Sequence, residues 1–430
     1  MEFTQEYSPS EKDIIWPKYG LKESPYFTSP VRLLSVFPIQ KVFCGRVEEI
    51  SSLRKMIFSK NSTRNIIVGS FGVGKTTFTN FVRWDLAFKK EDRKYLTTSA
   101  EIKVLQDWTA IDFLLATLSS IYTSSIVFNW EENTKIKSLE KIKEYVSISK
   151  KKTVQGTFGI VGGGYGETLN NPSQLSPEIL EDLLQEFCQE IQKLGKQIII
   201  PYDNLENLEL EKLAEFFRSI RDYLQIEGLH TLFLGPVETI SALESFGQVS
   251  SIFNRPIILN PLSNEDVLDI LQKRCETLKI EGGNYLKPYD DKTVIEIYTT
   301  LNQNIRFTFK VLEDATLNSG KKAPYQINLS DILAVQEKEK QEIMLSLTEN
   351  QLKIISALIE SPKQSQKDLS IRTNIGITNL TTPVRELVKR GLIIESGDKE
   401  DKRIKYVRLS DNSYLKLFFN PKESLINKES

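Results

Sequence analysis

Eight residues early in the chain have the types and spacing for phosphate chemistry: Gly69-Ser70-Phe71-Gly72-Val73-Gly74-Lys75-Thr76, a complete G-x-x-x-x-G-K-T sequence. The glycines let the backbone curl so that successive N–H groups face a polyphosphate. The helical pattern that follows, TTFTNFVRWDLAF, adds its positive N-terminal end. Lys75 is placed to reach the β and γ phosphates, the Thr76 hydroxyl to help hold Mg²⁺, and Thr77 to add a further contact. ATP and Mg²⁺ are therefore the expected cofactors.

Such a loop needs an acid from a second strand. The apolar run in KQIIIPYDN ends on Asp203, which with Thr76 forms the expected metal pair. A fast hydrolase places a glutamate next, to polarise water; here Asn204 follows, and it has no basic carboxylate. Glu206 is the nearby substitute. Arg255, just before a short apolar strand, is placed to point across a subunit boundary at a neighbour's γ-phosphate. Arg306, at the start of NIRFTFKVLEDAT, is placed to close onto the nucleotide from a helical lid. Asp203, Glu206, Arg255 and Arg306 are thus the candidate catalytic set.

Elements must position these groups. At roughly 150 residues per domain, 430 residues suggest about three domains, and 40% apolar residues supply their cores. The 56 basic and 57 acidic residues nearly cancel, so an anionic partner must be met by a local patch. Cys44, Cys188, Cys275 and the single His230 show no metal-ligand spacing. No apolar run approaches the ~18 residues that span a bilayer, so a cytoplasmic protein with no membrane partner is expected.

Ile66 to Val68 form the strand before the loop. An insertion near 110–175 begins with helical stretches from Ala110 to about Tyr145. The glycine-rich residues 153–168 then read as a β-hairpin with Lys150, Lys151 and Lys152 at its base. Ser176 caps the next helix, and Ser263 caps the first helix of the lid.

From Thr348 the pattern becomes three short helices and a charged ribbon, the order of a winged helix-turn-helix. Between Lys363 and Arg408 there are 11 basic against 6 acidic residues, a local excess that suits phosphate. Arg372, Thr378, Asn379, Thr381, Thr382, Arg385 and Lys389, with Lys402, Arg403 and Lys405 in the wing, are the candidate contacts to double-stranded DNA. Pro383 removes an amide donor, so the third helix is expected to begin only at Thr382.

In this order the motifs resemble the AAA+ ATPases of the origin-recognition and replication-initiator family. The box FCGRVEE, with Phe43, Gly45, Arg46 and Glu49, precedes the phosphate loop as it does in that family, and adds Arg46 to the nucleotide-binding candidates. YGLKESPYFTSP looks like the N-terminal segment that packs near the adenine in relatives. The resemblance implies that Asp203 is the Walker B aspartate, Arg255 the arginine finger and Arg306 the lid's second sensor. The C-terminal part resembles MarR-type and initiator-type winged helices.

The expected fold is α/β: a P-loop AAA+ parallel-sheet base with a helical lid, followed by an α+β winged helix-turn-helix domain. The expected parts are an N-terminal segment packing on the ATPase (1–40), the base (41–262), the lid and linker helix (263–345) and the winged helix (346–430). Two departures from the family stand out: Asn204, and Leu234-Gly235-Pro236 where a polar first sensor belongs. Together they point to slow ATP hydrolysis. The expected function is an ATP-switched protein that assembles on DNA as a homo-oligomer and recruits or loads an unknown protein partner. A STAND-like signalling or defence ATPase, or a transposition or plasmid-maintenance regulator, are the alternatives.

Overall fold

The computed structural model describes residues 15–89, 94–130, 136–157, 176–319, 321–361, 363–397 and 405–410. The expected wing residues Lys402 and Arg403, and 158–168 of the expected hairpin, lie outside the described residues. The chain forms two compact units, one from Ser29–Asp266 and one from the stretch ending at Thr28 together with the chain from Val267.

The first unit is built on a parallel sheet. Its strands are β1 (Thr63–Gly69), β2 (Tyr95–Thr97), β3 (Ile102–Lys103), β4 (Gln197–Asp203), β5 (Leu229–Gly235) and β6 (Ile257–Leu259). Their order is β2-β4-β5-β1-β6, with β3 also paired to β4. Parallel strands are covered by helices on both faces, so β1, β4 and β5 are buried almost throughout, and each has an apolar stretch at its centre. In register, Val68 lies opposite Gly235, Tyr202 opposite Phe233, and Gly69 opposite Leu259.

The insertion packs on one face of this sheet. Helices Ala110–Val127, Ser138–Thr157 and Pro177–Lys193 contribute Phe113, Leu118, Ile142, Leu184 and Phe187 to the same core as Ile200 and Phe233. Tyr202 stacks between Phe113, 4.9 Å away, and Phe233, 4.8 Å away. Residues 153–157 are the last turn of a helix and not the start of a hairpin. The pattern that places Leu139, Ile142 and Val146 in the core carries the helix on past Tyr145. Ala110–Val127 is also long and apolar enough to cross a membrane, contrary to the reading of its sequence. Its Phe113, Leu114, Leu118 and Ile121 are instead fully buried against the other helices and the sheet.

The second unit holds helices Asn264–Leu278 (from Val267), Asp291–Thr300, Ile305–Asn318 and Leu329–Leu345. Residues 16–28 are fastened to them, so the N-terminal segment expected to pack on the ATPase through residue 40 divides at Thr28. Lys22 N–H donates to Leu278 O at 2.8 Å, and Ile280 N–H donates to Gly20 O at 2.9 Å. The Arg274 guanidinium donates to Pro25 O and Phe27 O and lies 3.6 Å from the Phe27 ring centre, a buried cation–π contact that neither sequence segment announces.

The winged-helix part follows in the same unit. Helices Glu349–Glu360, Gln366–Thr373 and Ile377–Lys389 pack on an antiparallel sheet of β7 (Lys363–Ser365), β8 (Ile393–Gly397) and β9 (Lys405–Leu409), in the order β7-β9-β8. Thr348 caps the first helix through a reciprocal box with Gln351. The third helix begins at Ile377 and not at Thr382. Pro383 sits inside it with its ring buried beside Leu380, Val384 and Leu387, so core packing offsets the missing amide donor.

His230 gives the sheet a pH-dependent element. Asn65 Nδ2 donates to Thr63 Oγ1, the Thr63 hydroxyl pairs with His230 Nδ1 at 2.8 Å, and His230 Nε2 pairs with Gln197 Oε1 at 3.0 Å. A ring whose Nε2–H donates to an amide oxygen and whose Nδ1 accepts is neutral. Burial, and secondarily the charge of Arg64, push its pKa down to about 4. The unfolded chain binds that proton near 6.5. Stability is therefore intact above about pH 6.5 and falls as pH drops from there towards 4, by up to ~3 kcal/mol from this residue. Denaturant titrations at pH 7 and pH 4.5 are expected to show this loss in the wild type and a smaller one in His230→Gln.

Candidate nucleotide site and nucleic-acid face

The phosphate loop leaves the end of β1 at Gly69 and enters helix Lys75–Ala87. Gly72 and Gly74 have φ of 79° and 99°, values that side-chain-bearing residues rarely adopt. A Cβ built on Gly74 meets nothing within 4 Å, so the bend is demanded by the backbone and the space beside it stays open. Lys75 Nζ folds onto Gly69 O at 2.9 Å and Ser70 O at 3.2 Å. Thr76 Oγ1 donates to Asp203 Oδ2 at 2.7 Å. These groups fit a nucleotide polyphosphate with its cation: curled amides, a loop lysine, and a hydroxyl paired with a carboxylate from β4.

Ser70 and Phe71 are exposed at the loop's tip, while Val73 is buried beneath it. Arg46, expected to touch the nucleotide, braces the loop from behind. It caps helix Val47–Phe58 with φ 60°, pairs with Glu49 at 3.3 Å, and donates to Val73 O at 2.9 Å. Gly45 before it has φ 71°, and a Cβ there would fall 2.7 Å from the Asp266 carboxylate, which would have to shift. Thr77 accepts from Val31 N–H at 3.3 Å and so holds the chain upstream.

A buried polar cluster on the same helix escaped the sequence reading. Arg83 donates to Thr97 Oγ1 at 2.8 Å and to Asn80 Oδ1 at 2.6 Å, and also bonds Thr98 O. Asn80 Nδ2 reaches Val31 O at 3.1 Å and also the Glu101 carboxylate, which pairs with Arg32 at 3.3 Å. Burial lowers the Arg83 pKa to about 10, where it still carries its charge at neutral pH. The available signal was Asn80 and Arg83 at i, i+3 among Phe78, Val82 and Leu86, polar groups on an otherwise apolar stripe.

Both departures from the family pattern, Asn204 and Gly235, sit in tightly set backbone. Asn204 has φ 67°, a left-handed conformation that asparagine tolerates and longer side chains resist. Gly235 ends β5 against Leu205, and a Cβ there would sit 3.2 Å from Leu205 Cβ and closer still to the Thr239 hydroxyl. No polar sensor side chain fits at that position without moving the turn after Asp203. Glu206 is exposed on that turn, Leu205–Asn207.

Strand register separates Arg255 from the loop of its own chain. Asn254 N–H donates to Arg64 O at 2.8 Å, beside the start of β1, whereas Gly69 at the other end pairs with Leu259. At about 3.3 Å per residue the two lie on the order of 15 Å apart along the strand. Arg255 is exposed there, at the end of the strand away from the phosphate loop. Arg306 is half-buried in the first turn of helix Ile305–Asn318, whose Asn304 side chain accepts from Phe307 N–H at 3.2 Å.

On the winged helix, Thr378, Asn379, Thr381, Thr382, Arg385 and Lys389 are all exposed, while Leu380, Pro383, Val384 and Leu387 are buried. One helix therefore turns six of the candidate groups outward together. Arg372 is exposed on the preceding helix, 3.9 Å from Glu360, and Lys405 pairs with Glu395 at 3.2 Å across the wing strands.

Comparison with known proteins divides the chain in the same way. Residues 46–245 match the KAP family P-loop domain, and residues 347–405 match the MarR family. The base is a P-loop nucleotide-binding domain and the C-terminal part a winged-helix domain, as the motifs implied. An HTH-type transcriptional regulator of Methanocaldococcus jannaschii, itself uncharacterized, is 23% identical over 288 residues, covering 65% of this chain and 63% of its own. The chain thus matches less than two thirds of that relative's length. The chain is also similar to two solved structures. The ORC2 protein of Aeropyrum pernix, in ADPNP–ADP complexes, is 15% identical, with coverage of 95% of this chain and 99% of that one and a TM-score of 0.47. The ORC1 protein of Aeropyrum pernix in complex with DNA is 12% identical, with coverage of 95% and 97% and a TM-score of 0.48.

Removing the loop ammonium is expected to weaken ATP binding at least tenfold in Lys75→Ala, measured by calorimetry, since no other lysine lies in the loop. Asn204→Glu is expected to lose about 1–2 kcal/mol of stability, because glutamate resists the left-handed backbone, while Asn204→Gly stays near wild type. Equal denaturation midpoints for the two variants would show that the turn relaxes freely.

Proposed function

We propose that this protein is an ATP-switched DNA-binding factor: it holds ATP·Mg²⁺ in the phosphate loop, turns it over slowly, and assembles on double-stranded DNA to recruit or load other proteins. The observation that carries this reading is the contrast within one site. The groups that hold a nucleotide, Lys75 and the Thr76–Asp203 pair, are all in place. The two positions that would handle water carry Asn204 and Gly235, and backbone and packing enforce both.

Binding without efficient hydrolysis suits a switch, in which the γ-phosphate orders contacts that are lost on hydrolysis. When bound, Mg²⁺ would be held by Thr76 and Asp203 and would neutralise phosphate charge. Asp203 would orient the Thr76 hydroxyl, and Lys75 would leave the loop carbonyls for the phosphates. Arg255 is the residue this reading assigns to assembly: it is exposed, and the strand register sets it away from the phosphate loop of its own chain. The winged helix supplies the DNA contact through Arg385, Lys389 and the exposed threonines, with Arg372 and Lys405 at the margins. The second-sensor role that the resemblance gives Arg306 belongs to the same proposal.

Sedimentation with ATP, with ADP and with DNA tests this reading. Assembly is expected with ATP, to be lost with ADP, and to be promoted by DNA. By linkage, whatever factor ATP adds to DNA affinity DNA must add to ATP affinity. Arg255→Ala is expected to abolish the ATP-dependent oligomer while leaving monomeric ATP binding near wild type. Turnover is expected far below the ~10 s⁻¹ typical of enzymes. Identical assembly of Arg255→Ala and wild type would place the interface elsewhere, and rapid turnover would remove the switch.

A further inference from the structure

Single exposed apolar residues are common on protein surfaces and mean little by themselves. Ile377 differs in its neighbours. It is the first residue of helix Ile377–Lys389 and is 52% exposed. At 3.6 residues per turn, Thr378, Thr382, Arg385 and Lys389 form one row along the outward face of this helix, opposite the buried row of Leu380, Pro383, Val384 and Leu387.

The two flanks between these rows are not equivalent. On one, the Glu386 carboxylate accepts from Gln351 Nε2 at 2.8 Å, which ties that side to helix Glu349–Glu360. On the other lie Ile377 and, one turn later, Thr381, both exposed. A branched apolar side chain and a threonine methyl therefore adjoin a row of hydroxyls and cations, on a surface where the surrounding segment carries an excess of basic residues.

We propose that Ile377, with the Thr381 methyl beside it, makes the winged helix select duplexes that present thymine 5-methyl groups in the major groove. This rests on the DNA-binding reading above and adds a specificity to it. The major-groove edge of thymine carries an O4 acceptor and the C5 methyl, and apolar side chains recognise that methyl. Arg385 and Lys389, further along the same row, hold phosphates or guanine edges and fix the register in which the first turn meets the bases. Each methyl covered by the helix is expected to change affinity about fourfold.

The test uses the full chain and changes the DNA before the protein. Duplexes enriched by the full chain from a random-sequence pool are resynthesised with deoxyuridine in place of thymidine, which removes the 5-methyl and keeps every hydrogen-bonding edge. The wild type is expected to bind the deoxyuridine duplex at least fourfold more weakly. Ile377→Ala is expected to bind the two duplexes with a ratio well below the wild type's, and Ile371→Ala, altered at a 72% exposed position on the preceding helix, to keep the wild-type ratio. Equal wild-type affinity for the two duplexes overturns the inference and leaves DNA binding standing. Loss of the ratio in Ile371→Ala with its retention in Ile377→Ala also overturns it. Failure to enrich any duplex overturns both this inference and the DNA-binding reading.

Discussion

The hydrogen bond from Thr76 to Asp203 is the contact on which the base depends. It joins residues 127 positions apart, from the helix after β1 and the end of β4, and these strands are not neighbours because β5 lies between them. The bond forms only if three parallel strands keep their register, with Val68 opposite Gly235 and Tyr202 opposite Phe233. That register is held below the site by stacked aromatics and by the buried chain through Thr63, His230 and Gln197. A slip of one residue would turn the side chains of a strand to the other face of the sheet.

The same constraint accounts for the residues found at two neighbouring positions. For Asp203 to meet Thr76, the chain must turn at once, and Asn204 makes that turn in a left-handed conformation. The turn seats Leu205 against the end of β5, where Gly235 leaves it room. Restoring a glutamate at one position or a polar side chain at the other would disturb the same few ångströms of packing. The two departures are thus one structural solution.

Around the loop, polar groups face inward to brace it. Arg46 holds Val73 O, Thr77 and Asn80 hold Val31, and Arg83 joins the helix to Thr97 and Thr98. Buried groups of this kind are costly when left unpaired, so each partner depends on the others. The loop's conformation is therefore coupled to residues 31 and 32, to the end of β2 and to the helix that Arg46 caps. A phosphate arriving at Lys75 acts on a connected scaffold. The winged helix is built more simply, with apolar residues on one side of Ile377–Lys389 and exposed polar groups on the other.

What the amino-acid sequence determined by itself was local. The G-x-x-x-x-G-K-T spacing, the apolar run ending on Asp203, the caps at Ser176 and Ser263, and the polar face from Thr378 to Lys389 all follow from near neighbours, whose periodicity and short-range hydrogen bonds can be read along the chain. Where that reading erred, a distant contact had decided. The helix from Ser138 runs through residues 153–157 with its earlier turns packed in the core, Pro383 is accepted inside a helix because its ring is buried, and an apolar 18-residue helix packs one face into the core. The bracing role of Arg46 and the fastening of residues 16–28 around Arg274 were also invisible. Each depends on which backbone carbonyl, ring or strand end lies opposite, and that partner is chosen by the register of the sheet and the packing of helices far away in sequence.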